Sequence, residues 1–135
     1  MNRVKTIFAS LILALLISGT LMAQSTPTVI GVINKADWCA VCEKYGERAM
    51  TALMAGNEDG ATAFIANDLT DDKTIKTSIE TLKKYELEQA LAPLKGTGVA
   101  YFFNAETKAL ICQVSISKSD EELAEALKAA KNAVK

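Results

Sequence analysis

Apolar residues recur along this chain in two rhythms, and the switches between them mark its elements. Thr28-Val29-Ile30-Gly31-Val32-Ile33 is β-branched and almost continuously apolar, as expected of a strand buried on both faces. From Cys39 to Ala55 the spacing turns helical. Val41, Tyr45, Ala49 and Ala52–Leu53 form one stripe, and Gly56 stands where a C-cap belongs. Asn57-Glu58-Asp59-Gly60 is a loop, and Ala61 to Ala66, centred on Phe64 and Ile65, predicts a second buried strand. Thr70-Asp71-Asp72 supplies a cap and first-turn acids for another helix, with Ile75, Ile79 and Leu82 inward and Lys83–Lys84 in its last turn. Leu87 to Leu94 reads as a further helical turn that Pro93 ends, and Lys95-Gly96-Thr97-Gly98 as a flexible break.

Val99 to Phe103 predicts a third strand, which Asn104-Ala105-Glu106-Thr107 turns back into a fourth, Ala109 to Ser117. By a period of two, Cys112 shares a face with Leu110, Val114 and Ile116. Ser119, with Glu122 three residues on, forms a capping box for a last helix striped by Leu123, Ala126, Leu127 and Ala130. A parallel βαβ unit, an antiparallel hairpin and a covering helix make an α/β three-layer sandwich. Its centre is a mixed four-stranded sheet with helices on both faces.

The first residues follow neither rhythm. Arg3 and Lys5 precede an apolar run from Ile7 to Ile17 relieved only by Ser10, and Ser18 to Ala23 ends in a small residue before Gln24. This predicts a cleavable signal peptide over 1–23 and one exported domain over 24–135, in the periplasm or another extracytoplasmic space. Without Arg3 and Lys5, the remaining basic residues are outnumbered by the 16 acidic ones. That mild negative charge argues against nucleic acid as a partner. The chain has no histidine, which removes Ser-His and Cys-His catalysis, histidine metal ligands and covalent c-type haem.

Ala36-Asp37-Trp38-Cys39-Ala40-Val41-Cys42-Glu43 carries the candidate chemistry. Two cysteines three apart, delivered by a strand to the first turn of a helix, meet unpaired N–H groups and the positive end of the helix dipole. Both favour a thiolate over a thiol. Cys39 is expected to point outward and attack, Cys42 to displace a mixed disulfide one turn later, and neither needs a cofactor. As a merely structural disulfide the pair would close too small a loop to stabilise much. A binding module is the rival: two thiolates can hold Cu(I), or the same face a peptide, but zinc wants four ligands. Cys112 is the odd third cysteine: a small buried hydrophobe, a third redox thiol or an intermolecular link. Asp37 is a candidate cap for the active helix, and Asn34–Lys35 are candidate rim contacts.

Trp-Cys-x-x-Cys after the first strand, with this element order, resembles the thioredoxin superfamily over essentially the whole chain after the leader. Ala36 to Glu43 looks most like the C-terminal periplasmic domain of the transmembrane disulfide-reducing conduit. The resemblance implies a thiol–disulfide oxidoreductase, a monomer with Cys39 as nucleophile and Cys42 as resolving thiol. Protein disulfides would be its substrates, and Trp38, Thr97 and Gly98 the docking surface; a reductant in an oxidising compartment also needs an electron source, which implies a membrane thiol donor as partner. Three departures stand out. Ile33 occupies the place of the family's buried acid, for which Glu43 and Asp68 are the nearest substitutes. Gly98 occupies the place of its cis-proline, and Glu88 to Lys95 looks like a small insertion. Ala40 and Val41 offer nothing to stabilise a thiolate, so a potential nearer about −270 mV than about −120 mV is expected.

Overall fold

A computed structural model describes residues 26–135, and the predicted leader lies outside the described residues. Eight elements follow one another: β1 (Val29–Lys35), α1 (Ala40–Ala55), β2 (Thr62–Asp68), α2 (Asp72–Lys84), α3 (Glu88–Leu91), β3 (Val99–Asn104), β4 (Leu110–Ser115) and α4 (Asp120–Ala133). Both strong helix starts form as the sequence predicts. Asp71 caps α2 in a capping box with Thr74, and Ser119 caps α4 in one with Glu122.

The sheet runs β2-β1-β3-β4. β1 pairs parallel with β2, Val29 opposite Thr62 and Lys35 opposite Asp68. It pairs antiparallel with β3, Val29 opposite Asn104 and Asn34 opposite Val99. With a neighbour on each edge and layers over each face, β1 buries six successive residues, which is why its sequence is a run rather than an alternation. Val29, Ile33, Ala100, Phe102 and Ile116 meet Ala49 and Leu53 of α1 and Leu123, Leu127 and Ala130 of α4 on one face. Ile30, Val32, Tyr101 and Phe103 meet Leu82 of α2, Leu91 of α3 and Leu87 just before α3 on the other. This is the α/β sandwich with a mixed four-stranded sheet and helices on both faces that the element order predicts.

Two details, at Leu110 and Val41, differ from the sequence reading. Leu110 does not share the Cys112 face: Phe102 pairs with Cys112 and Phe103 with Leu110, so Ile111 is an extra residue in a bulge. Leu110 is thereby turned to the other face and left exposed, while Ile111 and Cys112 both pack toward α4. The further helical turn expected over Leu87 to Leu94 does form, as α3, and Leu87 and Leu91 are buried under the sheet. Val41 is not on the buried stripe of α1; it is exposed, and its neighbours lie in the site.

Gly31 shows how closely the central strand is packed. A Cβ there would stand 2.8 Å from Cδ1 of Phe64 on β2 and 3.2 Å from Cε1 of Phe102 on β3. Gly31→Ala is expected to destabilise the fold by about 1–3 kcal/mol, read as a lower urea midpoint at unchanged slope; an unshifted midpoint would mean the two rings yield freely.

Candidate functional site

β1 ends at Lys35, and four residues carry the chain from there to the start of α1. Ala36 is buried, Asp37 and Trp38 form an exposed turn, and the Cys39 N–H donates back to the Ala36 carbonyl at 3.1 Å. Cys39 is itself the N-cap of α1: its Sγ accepts from the Cys42 N–H at 3.2 Å. The expected cap, Asp37, is not used that way: Cys39 occupies the N-cap position, and the Asp37 N–H donates to the Thr70 hydroxyl at 2.9 Å. Cys39 and Cys42 are joined as a disulfide with Cα atoms 5.2 Å apart. The sulfur expected to attack thus already lies against the dipole end of a 16-residue helix.

Cys39 does not stand outward. It is 6% exposed, whereas Trp38 is 64% exposed, so the indole projects and the nucleophile sits in a recess beside it. Gly98 forms the opposite wall. It is buried, at φ +70°, and a Cβ on it would lie 2.8 Å from Val41 Cγ1 and 3.7 Å from Cys39 Sγ. Glycine is required here twice over, by the left-handed backbone and by the closeness of Val41. Thr97, beside it, is half-buried. Trp38, Thr97 and Gly98 are therefore brought to the same end of the sheet as the two cysteines.

The second cysteine faces a largely apolar cavity of about 350 Å³, lined by Ile33, Lys35, Gly46, Ala49, Met50 and Phe64 among others. Ile33 lines this cavity together with Cys42, so the position for which the sequence resemblance implies an acid is apolar. Neither candidate substitute lines this cavity. Glu43 is exposed on the first turn of α1. Asp68 is engaged elsewhere: it accepts from the Thr70 hydroxyl and the Thr70 N–H and lies 3.5 Å from Lys35 Nζ. Among the described residues that line the cavity the charged one is Lys35, which pairs with Asp68, and no carboxylate lines it directly.

Two polar devices went unread in the sequence. The first is Thr70, in the loop after β2: its hydroxyl accepts from Asp37 N–H, and its carbonyl accepts from the Trp38 indole N–H at 3.2 Å. Thr70 ties the turn before Cys39 to the neighbouring strand. The second is Asn34, expected at the rim and found fully buried, because strand alternation turns it toward α2 and α3 with Ile30 and Val32. A lone Asn in an apolar run was the available signal. Cys112 is remote from these groups in role: its thiol points to the Ala126 carbonyl of α4 at 3.8 Å, and burial pushes its pKa up. It is a half-buried residue packed against the core, nearer the small-hydrophobe reading than the redox one.

The strand order, the parallel and antiparallel pairings and a Cys-x-x-Cys disulfide at the start of the first helix define a thioredoxin-like fold with a redox-type motif. No family model matches the chain, and no curated protein matches it. Among solved structures it is similar to the crystal structure of Trxlp from Edwardsiella tarda EIB202, at 19% sequence identity and a TM-score of 0.48. That match covers 82% of this chain and 91% of the other. The geometry above, rather than this likeness, carries the fold assignment.

The Thr70 hydroxyl is the main cause holding the Asp68 carboxyl below its ordinary value of 3.8, with help from the Thr70 N–H and Lys35. Folding lowers this pKa, so the stability linked to it is complete above 3.8 and is lost as pH falls through the folded value. In Thr70→Val, Asp68 is expected to titrate closer to 3.8 by NMR, with a smaller acid-side loss of stability. An unmoved Asp68 titration would remove the hydroxyl as the cause.

Proposed function

We propose that this protein is an exported thiol–disulfide oxidoreductase that reduces or exchanges disulfides in client proteins. The observation that carries the reading is Cys39 at the N-cap of α1, disulfide-bonded to Cys42 and recessed between an exposed Trp38 and the Gly98 backbone. A structural bridge would need neither the helix terminus nor an exposed indole beside it.

In the reduced protein the Cys39 thiolate attacks one sulfur of a client disulfide. A Cys39–client S–S bond forms, and the other client sulfur leaves as a thiolate and takes up a proton. Cys42 then gives up its proton to solvent or the departing group and attacks Cys39 Sγ, releasing the second client thiolate. Two electrons have moved to the client, and the Cys39–Cys42 disulfide seen here is the oxidised product. Backbone N–H groups at the helix start favour the attacking anion. With no carboxylate lining the cavity behind Cys42 among the described residues, deprotonation of the resolving thiol relies on solvent and on the departing thiolate. Trp38 and the Thr97–Gly98 backbone supply the flat apolar and polar surface on which a client chain lies.

Cleavage of the leader would place the mature chain outside the cytoplasm, where a reductant must draw electrons from elsewhere. The donor in this proposal is a membrane thiol protein, in keeping with the resemblance of Ala36 to Glu43 to the disulfide-reducing conduit. The protein acts as a monomer. The copper-binding alternative would rest on the Cys39 and Cys42 thiolates alone, because Cys112 is directed to α4.

Two outcomes test the proposal. A Cys42→Ala variant is expected to accumulate client proteins as Cys39 mixed disulfides in extracts; a variant that traps none while Cys39 still alkylates would sink it. The wild-type pair, in a Cys112→Ser background, is expected to titrate reversibly below about −200 mV, counted by intact mass after alkylation. A value near about −120 mV would make it an oxidant or isomerase instead.

A further inference from the structure

A single buried residue fastens both ends of the loop that walls the nucleophile. Asn34 Nδ2 donates to the Leu94 carbonyl at 2.8 Å, and the Asn34 backbone carbonyl accepts from the Gly98 N–H at 2.8 Å. Its Oδ1 is held in turn by Asn67 Nδ2 of β2, also buried, at 2.8 Å. The Asn34 amide oxygen and one of its N–H groups are thereby each engaged by one partner in this clamp. An apolar residue would satisfy the core at this place, as Ile30 and Val32 do on the same face. A buried amide costs stability unless it is bonded, so its presence here marks a loop that has to be held. The loop needs holding because Lys95 and Gly96 are exposed and two of its residues are glycines.

We propose that Asn34 is a positioning residue for client docking: it holds residues 94–98 so that Thr97 and Gly98 stand at a fixed distance from the Cys39–Cys42 pair. The proposal rests on the redox reading above and gives the Gly98 loop, which lacks a rigid proline ring, its source of rigidity. Tolerance at this wall is small, since the Gly98 backbone already packs against Val41 beside the sulfur. A loop displaced inward covers Cys39, and one displaced outward leaves a client chain without its second wall. The clamp therefore governs reaction with an extended protein segment and leaves the reaction of Cys39 with a small disulfide almost untouched.

The test compares the reduced wild-type protein with Asn34→Ala and with an Asn34→Leu/Asn67→Leu double variant, which keeps the pocket filled should the alanine fail to fold. Three readouts are taken: reduction of insulin, reduction of hydroxyethyl disulfide, and hydrogen exchange at the Gly98 N–H. Insulin reduction is expected to fall about tenfold in kcat/KM, the order set by one lost buried hydrogen bond, with the small disulfide within about twofold and Gly98 exchange accelerated. Equal loss on both substrates would mean a damaged site rather than a displaced loop, and no loss on insulin would mean docking does not need the clamp. Either overturns the proposal. A wild-type protein that reduces neither substrate defeats the redox reading, and the docking role with it. In that case Gly98 exchange still decides the clamp itself, which unchanged protection in the variants would refute.

Discussion

The double pairing of β1 is the constraint from which the site follows. Its hydrogen bonds run to β2 on one edge and β3 on the other, and both its faces are covered. A strand held this way cannot slip by one residue without turning its whole apolar set inside out. Its last residues are therefore placed with the precision of the core, and Cys39 lies only four positions beyond Lys35. β2 ends opposite Lys35 and β3 begins opposite Asn34, so the loops that follow β2 and precede β3 must converge on the same spot. The site is where three chain segments leave one end of a sheet.

What the core places coarsely, a few polar groups place finely. Thr70 binds the Asp37–Trp38 turn from one side, and Asn34 binds the Gly98 loop from the other. Arg48 secures the helix that carries both cysteines, reaching the Ile116 and Lys118 carbonyls and the Asp120 carboxylate at the β4–α4 corner. These contacts contribute modestly to global stability, since each exchanges a water partner for a protein one. Their effect is on geometry: they remove the freedom of short segments that no hydrophobic face constrains.

The sequence was most legible where one physical signal dominates. The apolar run of β1, the two capping motifs and the Cys-x-x-Cys at a strand-to-helix junction are local, and each appears in the structure with its ends shifted by a residue or two. It was least legible where two distant segments decide the outcome. The bulge at Ile111 depends on how β4 meets β3, so a strict period of two put Leu110 on the wrong face. Asn34 reads as polar and hence as rim, because its partners Leu94 and Asn67 are 60 and 33 residues away. The recess around Cys39 depends on the left-handed Gly98 and on Val41, neither of which announces the other. In this fold local chemistry names the reactive atoms, and long-range pairing decides how they are enclosed.

Thr26 and Pro27 at the start of the described chain and Val134 near its end line a single depression, with Thr28, Ile30 and the β3–β4 turn. That depression is at the far end of β1 from the cysteines, about 20 Å away by the rise of the strand. Both attachment points thus share one pole of the molecule, and the sulfurs occupy the other. A tether, a fusion partner or an immobilising tag joined at either point leaves the reactive pole directed away from its anchor, free to sweep the space in front of it.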